Sequence, residues 1–483
     1  MRLKCLCYYL TYICFLLYFI FTASFVQAQD STLTYAASIL VSGTTGQTPF
    51  WFHANQHGAI PADGSFVSGQ WGIYKIYNPN NPRVFQWSGG VEAVTNYNKS
   101  GDVFFTDLYG AAKIGPIEFF AGQKKNITGL IDTTLTSGSL AVAGNSRPFP
   151  RIQISVPEFY PLPLTNDIVS FKASYSDGNL GGSNIIYGST RYVPKTYFHQ
   201  KSLYLRFGKN AGRLLIYTGF NHQVIWGGEQ KISPISGLRP IDAYWYAITG
   251  KTLNYKKIGN HFGTVDLSAS WKGKNWTYII YRQNIYENGS LFKIINFVDG
   301  LNGLAIKRNR PIPKSISKFA FQTALIELIG TKDQKNSPAP FGLSIFEYGN
   351  YFNHYIYQNG WSYRGEGIGT PLIPSKELTS KNLPQNVSQF SNNNRIWALH
   401  AGMKGRWQRI DFTAKGTFSL NYGTYLAPFS QARRQTSVFL SAERKVSLFK
   451  EFKLLAGFTT DLGSLYPHSS GIMIGVRKNG FLN

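Results

Sequence analysis

Residues 410–422 alternate without exception. Ile410, Phe412, Ala414, Gly416, Phe418, Leu420 and Tyr422 share one parity, and Asp411, Thr413, Lys415, Thr417, Ser419 and Asn421 share the other. Successive side chains of a strand point to opposite faces, so this segment is a strand with one apolar and one polar side. It is longer than the usual globular strand of about 5–6 residues. It also meets the roughly 9–11 that a tilted strand needs to cross a bilayer.

The pattern recurs. Val169, Phe171, Ala173 and Tyr175 alternate with Ser170, Lys172, Ser174 and Ser176; Leu203, Leu205 and Phe207 with Tyr204, Arg206 and Gly208; Val265, Leu267, Ala269 and Trp271 with Thr264, Asp266, Ser268 and Ser270. Weaker versions occupy 84–94, 103–114, 214–220, 276–282, 397–403 and 452–461. Turn signals separate them: Asn78-Pro79, Lys99-Ser100-Gly101-Asp102, Ser176-Asp177-Gly178 and Lys272-Gly273-Lys274-Asn275. Three stretches resist a strand reading. Residues 30–80 show little sustained alternation, 226–258 contain Pro234, Pro240 and a short helical pattern at 241–246, and 341–395 are rich in Gly, Asn and Pro. Long irregular segments in a regular protein are typically functional loops or disordered ones.

A soluble sandwich would also alternate, so the surroundings of the pattern decide. Charged residues are 15% of the chain, against about 25% in soluble proteins, and aromatics are 16%. Arg2 and Lys4, an apolar run over 5–21 and Val26-Gln27-Ala28 predict a cleaved signal peptide over 1–28, leaving 29–483 as a single domain. All three cysteines (Cys5, Cys7, Cys14) fall in that leader, so the exported part would carry no disulfide, thiolate nucleophile or Cys-ligated zinc. Export, long strands and aromatic strand ends together predict an all-β fold, a transmembrane outer-membrane β-barrel of a Gram-negative bacterium. Sixteen to eighteen antiparallel strands would leave about 25–28 residues for each strand and its connection. The polar parity, with Lys172, Arg206, Asp266, Asp411 and Lys415, then faces a lumen. Short helical or irregular segments plug or cap it.

Four ordered blocks resemble the capsule assembly protein Wzi family. The first is Thr48-Pro49-Phe50-Trp51-Phe52-His53-Ala54-Asn55-Gln56-His57-Gly58-Ala59-Ile60-Pro61. The second runs from Ser137-Gly138-Ser139-Leu140 to Pro163 and includes Asn145-Ser146-Arg147-Pro148. The third is Gly219-Phe220-Asn221-His222-Gln223-Val224-Ile225-Trp226-Gly227-Gly228. The fourth runs from Phe346-Glu347-Tyr348 to Tyr363-Arg364-Gly365-Glu366-Gly367-Ile368-Gly369. The resemblance implies an outer-membrane barrel of about eighteen strands that holds capsular polysaccharide in a lectin-like way, without catalysis or open export.

No enzyme constellation stands out. The eight histidines lack the paired spacing of a zinc protease; His53 and His57 are four apart but have no intervening Glu. A G-x-S-x-G elbow is missing, and the glycines of 365–369 read as a tight loop. No metal or cofactor is expected. Glycans call instead for planar polar side chains, aromatic platforms and, where acidic, Arg. The blocks supply candidates of that kind in Trp51, His53, Asn55, Gln56, Arg147, Asn221, His222, Gln223, Trp226, Tyr363, Arg364 and Glu366. The rival role for each is to pin loops or plug the barrel. A net charge of +25, of which +23 remains once Arg2 and Lys4 leave, suits an anionic partner, either acidic polysaccharide or lipopolysaccharide phosphate. Nucleic acid does not fit an exported chain, and a monomer is expected. The alternative function is a substrate-selective porin, and an open lumen would mark it.

Overall fold

The computed structural model describes residues 32–78, 83–187, 189–232, 238–253, 256–287, 297–313, 319–334, 349–446 and 452–482. The expected leader lies outside them, as do Pro79, Pro234 and the Phe346-Glu347-Tyr348 start of the fourth block. Eighteen strands form the wall. The first nine are β1 (Leu33–Thr44), β2 (Phe66–Lys75), β3 (Phe85–Tyr97), β4 (Gly101–Ile114), β5 (Ile117–Gln123), β6 (Arg151–Pro161), β7 (Val169–Tyr187), β8 (Thr190–Phe207) and β9 (Leu214–Trp226). The others are β10 (Asn260–Lys272), β11 (Trp276–Glu287), β12 (Gly300–Arg308), β13 (Ala320–Gly330), β14 (Ile396–Trp407), β15 (Ile410–Gly423), β16 (Pro428–Lys445), β17 (Phe452–Gly463) and β18 (Ser469–Phe481). Each pairs antiparallel with its chain neighbours, and β18 pairs with β1 from Thr34↔Phe481 to Thr44↔Gly471, which closes the barrel and leaves no edge.

Connections differ sharply between the two ends. One end has turns such as 115–116, 273–275 and 408–409, whereas the other carries 45–65, 124–150, 227–259 and 331–395. Short turns face the periplasm and long loops the exterior in such barrels, which orients the molecule with Leu33 and Phe481 at the inner end. The parity rule holds around the wall. Leu108, Ile152, Leu203, Leu267, Ile280, Ile326, Leu399, Leu440 and Ile474 lie exposed on the outer face. Trp87, Tyr160, Trp271, Tyr278 and Trp407 stand exposed at the periplasmic rim, an aromatic girdle at the lipid–water boundary. The opposite parity faces inward, where Asp266 is fully buried and the Lys415 ammonium lies 4.7 Å from the Trp51 ring.

The lumen is filled from the outer end. Three loops (45–65, 124–150 and 349–395) descend into it and pack against the inner wall. A helical turn, α1 (Phe50–His53), sits in the first. Trp361, Tyr351, Phe352, Leu135, Leu140 and Ile368 from these loops join Phe198, Phe262, Leu301 and Ile329 of the wall in one buried apolar cluster. Buried wall carboxylates bind the loop backbone. Asp461 accepts from Phe50 N at 2.8 Å, Asp107 from Lys125 N at 2.8 Å, Asp266 from Leu130 N at 3.0 Å and Glu327 from Ser137 N at 2.7 Å. A loop leaving a sheet needs acceptors for its N–H groups, and the polar parity supplies them.

Three expectations change. Residues 30–80 contain two wall strands, β1 and β2. Their alternation is blurred because Leu40 and Phe66, on the inward parity, pack with Phe52 and Ile60 of the plug. Ser176-Asp177-Gly178 is no turn but lies inside β7, which with β8 extends outward as a long hairpin whose register shifts near Gly181, at φ 79°. A helical turn, α2 (Glu229–Ile232), precedes α3 (Pro240–Thr249), which holds the helical pattern at 241–246, with Pro240 opening α3 and Gly250 ending it at φ 66°. Yet α3 does not plug the lumen. Ala243 and Ala247 pack with Val224 and Trp226 on the outward parity of β9, and Tyr244 OH donates to Asp177 at 2.8 Å, so the helix clasps the outer face near the exterior end.

Candidate functional site: two clefts at the outer end

Among the described residues, those above the plug stand free to meet a large ligand, so the site is built from the loop tops. Ser362–Tyr363 pairs with Glu366–Gly367 in a two-residue ribbon. Arg364 at φ 53° and Gly365 at φ 82° form its turn, both in the left-handed region that a tight hairpin demands. Trp361 anchors the ribbon from below, fully buried and donating Nε1–H to Ala141 O at 2.8 Å. The glycine-rich fourth block is therefore a rigid spur rather than a nucleotide loop.

The spur separates two clefts. On one side lies a space of about 610 Å³, walled by Tyr363, Arg364, Asn179, Asn184, Gln358, Asn359, Lys376, Gln389 and Phe390. Arg364 is exposed, with its guanidinium 5.8 Å from the Tyr363 ring. The lining combines side-chain amides, two cations and two aromatic rings, the set that reads sugar hydroxyls, carboxylates and C–H faces. On the other side a cleft of about 410 Å³ is lined by Gly58, Pro61, Asn96, Asn98, Asp102, Arg147 and Glu366. Arg147 lies 3.5 Å over the Phe104 ring and donates to Asp102 at 2.6 Å. Glu366 Oε2 is buried without a partner, and burial pushes the carboxyl up to about 7 despite Arg147 nearby. Gly58, at φ 62°, has no room for a Cβ, which would overlap both Glu366 and Arg147.

The sequence candidates divide by place. Tyr363 and Arg364 line the larger cleft and Arg147 and Glu366 the smaller, while Gln56 is exposed on the plug. Trp51 is buried between His400 and Lys415. Asn55 holds Ser137 O through Nδ2 at 3.1 Å. Burial lowers His53 and His57 to about 4, so both rings are neutral at pH 7. Asn221 and Gln223 are fully buried in the wall, Asn221 accepting from Tyr204 OH at 2.6 Å. His222 and Trp226 face outward beneath α3, with His222 Nε2 3.0 Å from His261 Nδ1. These residues lie inside the plug or the wall, outside the two outer clefts. The reading missed Asn179, Asn184, Gln358, Asn359, Lys376 and Gln389, which no short spacing connects. Their sequence signal was the polar character of the tip of β7 and of 358–390. Among the described residues no group of three or more His, Cys, Asp or Glu is placed to hold a metal.

No protein-family model matches the sequence, and no curated protein does. Solved structures do. OccK2 (OpdF) of Pseudomonas aeruginosa, in complex with glucuronate, is 7% identical, with 93% of this chain and 97% of that one covered and a TM-score of 0.48. OccAB2 of Acinetobacter baumannii is 8% identical over 93% and 98%, at 0.47. A loop L8 deletion mutant of OmpT, an outer membrane protein of Vibrio cholerae, is 9% identical over 93% and 99%, at 0.36. The barrel and its strand number stand on the pairing register described above.

Proposed function

We propose that this barrel is a non-catalytic surface protein that binds polysaccharide at its outer end and helps hold it to the cell, as the resemblance of four blocks to the Wzi family implies. The observation that carries the reading is the packed apolar core inside the lumen. Trp361, Tyr351, Phe352 and Leu135 are fully buried where an open pore would hold water. A barrel closed in this way offers its surroundings a surface, and that surface carries the amide- and cation-lined cleft beside Arg364. The basic charge favours an acidic glycan. The test pairs two measurements. Purified protein in planar bilayers should show no large steady conductance, and deletion of the chain in its host should shed surface polysaccharide that the wild type retains. Steady single-channel currents together with unchanged retention would overturn the proposal.

A substrate-selective porin is the second reading, and one observation favours it. The smaller outer cleft, a narrow gap of about 20 Å³ and an inner pocket follow one side of the barrel, sharing Arg147 and then Arg151 in their linings. Solute-dependent current along that line would support it.

A further inference from the structure

Below the plug, against β5–β8, lies a pocket of about 220 Å³ that has no part in the outer surface. We infer that it binds a small carboxylated sugar from the periplasmic side. This goes beyond the surface reading and does not depend on it.

Charge comes first. Lys124, Lys125, Arg151 and Lys172 line the pocket against a single lining carboxylate, Glu118. Lys125 is paired with Glu92. Among the described residues Lys124, Arg151 and Lys172 make no ion pair, although Asp107 acts on Arg151 and Glu158 on Lys172 at longer range. Arg151 Nε is buried with no hydrogen-bond partner, and its guanidinium lies 5.2 Å over the Phe120 ring, which orients the fork. A buried donor left unsatisfied is costly, and a carboxylate is the acceptor whose shape the fork matches.

The rest of the lining selects a sugar over a bare anion. Asn126, Gln153, Gln200, Ser174 and Ser202 present amides and hydroxyls, and Phe120 and Phe159 present ring faces. The volume is many times that needed for one water and is too small for a polymer. Entry is from within. Phe159 and Lys172 stand close to the periplasmic turn 162–168, whereas among the described residues the way toward the exterior narrows to a gap of about 20 Å³ beside His57, Arg147 and Phe149.

The experiment is calorimetric titration of the full chain in detergent with D-glucuronate, with D-glucose and inorganic phosphate as comparisons. Glucuronate should bind at least tenfold more tightly than either. R151Q and K172Q should each weaken it about tenfold or more, the loss of one charged hydrogen bond. R151K should retain part of the affinity, and R239Q, at the exposed start of α3 and outside all of these clefts, should leave it unchanged. Heat-modifiable migration of each variant verifies that the barrel has folded. Equal binding of glucose or phosphate, loss of binding in R239Q, or full binding by a folded R151Q/K172Q double variant would each overturn the inference. None of these outcomes bears on polysaccharide retention at the surface.

Discussion

Glu327 should be the principal latch of the plug. Its carboxylate sits on β13 with no exposure and accepts from Thr136 Oγ1 at 2.7 Å, Ser137 N at 2.7 Å, Ser137 Oγ at 2.5 Å and Tyr281 OH at 2.5 Å. Three of these four donors belong to the loop 124–150. Hydrogen bonds to a charged group contribute about 1.5–3 kcal/mol each. They are not additive, so about 4 kcal/mol is a reasonable sum for the three, equivalent to roughly a thousandfold in local opening. In Glu327→Ala the plug loses this anchor, while the pairing of β13 with its neighbours remains. Amide hydrogen exchange read by mass spectrometry should then show protection of residues 128–142 falling by about three orders of magnitude, with the strands unchanged. Glu327→Gln keeps one acceptor oxygen and should fall between the two. Protection within threefold of wild type in Glu327→Ala would refute the view that wall carboxylates hold the plug.

Trp361→Ala removes the largest fully buried side chain of the plug and should cost about 3–5 kcal/mol, seen as protease sensitivity of 349–395 in an otherwise heat-modifiable barrel. Glu366 ionises near 7 in the fold and at a lower pH when unfolded, so its contribution is full at low pH and declines as pH rises from the ordinary carboxyl range through 7. Glu366→Gln should abolish that decline in urea unfolding of the outer loops. His53 and His57 act in the opposite direction. With folded values near 4, they withdraw stability as pH falls from about 6.5 toward 4, and a His53→Gln/His57→Gln variant should resist acid better than wild type. Ile474→Arg places a charge on the exposed outer face of β18 and should cost about 2–4 kcal/mol of folding stability in bilayers. It should leave hydrogen exchange in the plug unchanged.

The wall was legible in the residues. A strand that touches lipid on one face and a polar interior on the other must alternate, and β15, β7 and β10 do so because each side chain meets one of two solvents. Where a third environment intrudes, the signal fades. In β1, Leu40 faces inward but meets Phe52 and Ile60 instead of water, so the parity loses its contrast. Asp177 and Gly178 read as a turn because nothing local says that β7 continues past the membrane until β8 pairs with it.

Tyr363, Arg364, Arg147 and Glu366 were named from the sequence for their chemistry and line the two clefts. The spur at Arg364-Gly365 and the glycine at 58 follow from conformations that few residues tolerate. The clefts around them did not follow, because Asn179, Asn184, Gln358 and Lys376 come from strand and loop tops far apart in the chain. Whether a histidine or tryptophan of these blocks packs in the plug, as Trp51 does, or beneath α3, as Trp226 does, was likewise set by packing. Alternation along a chain records which solvent each residue meets, and so the amino acids alone determined a membrane wall. The filling of its interior depends on which distant loops descend and which carboxylates receive them, and tertiary structure alone decided that.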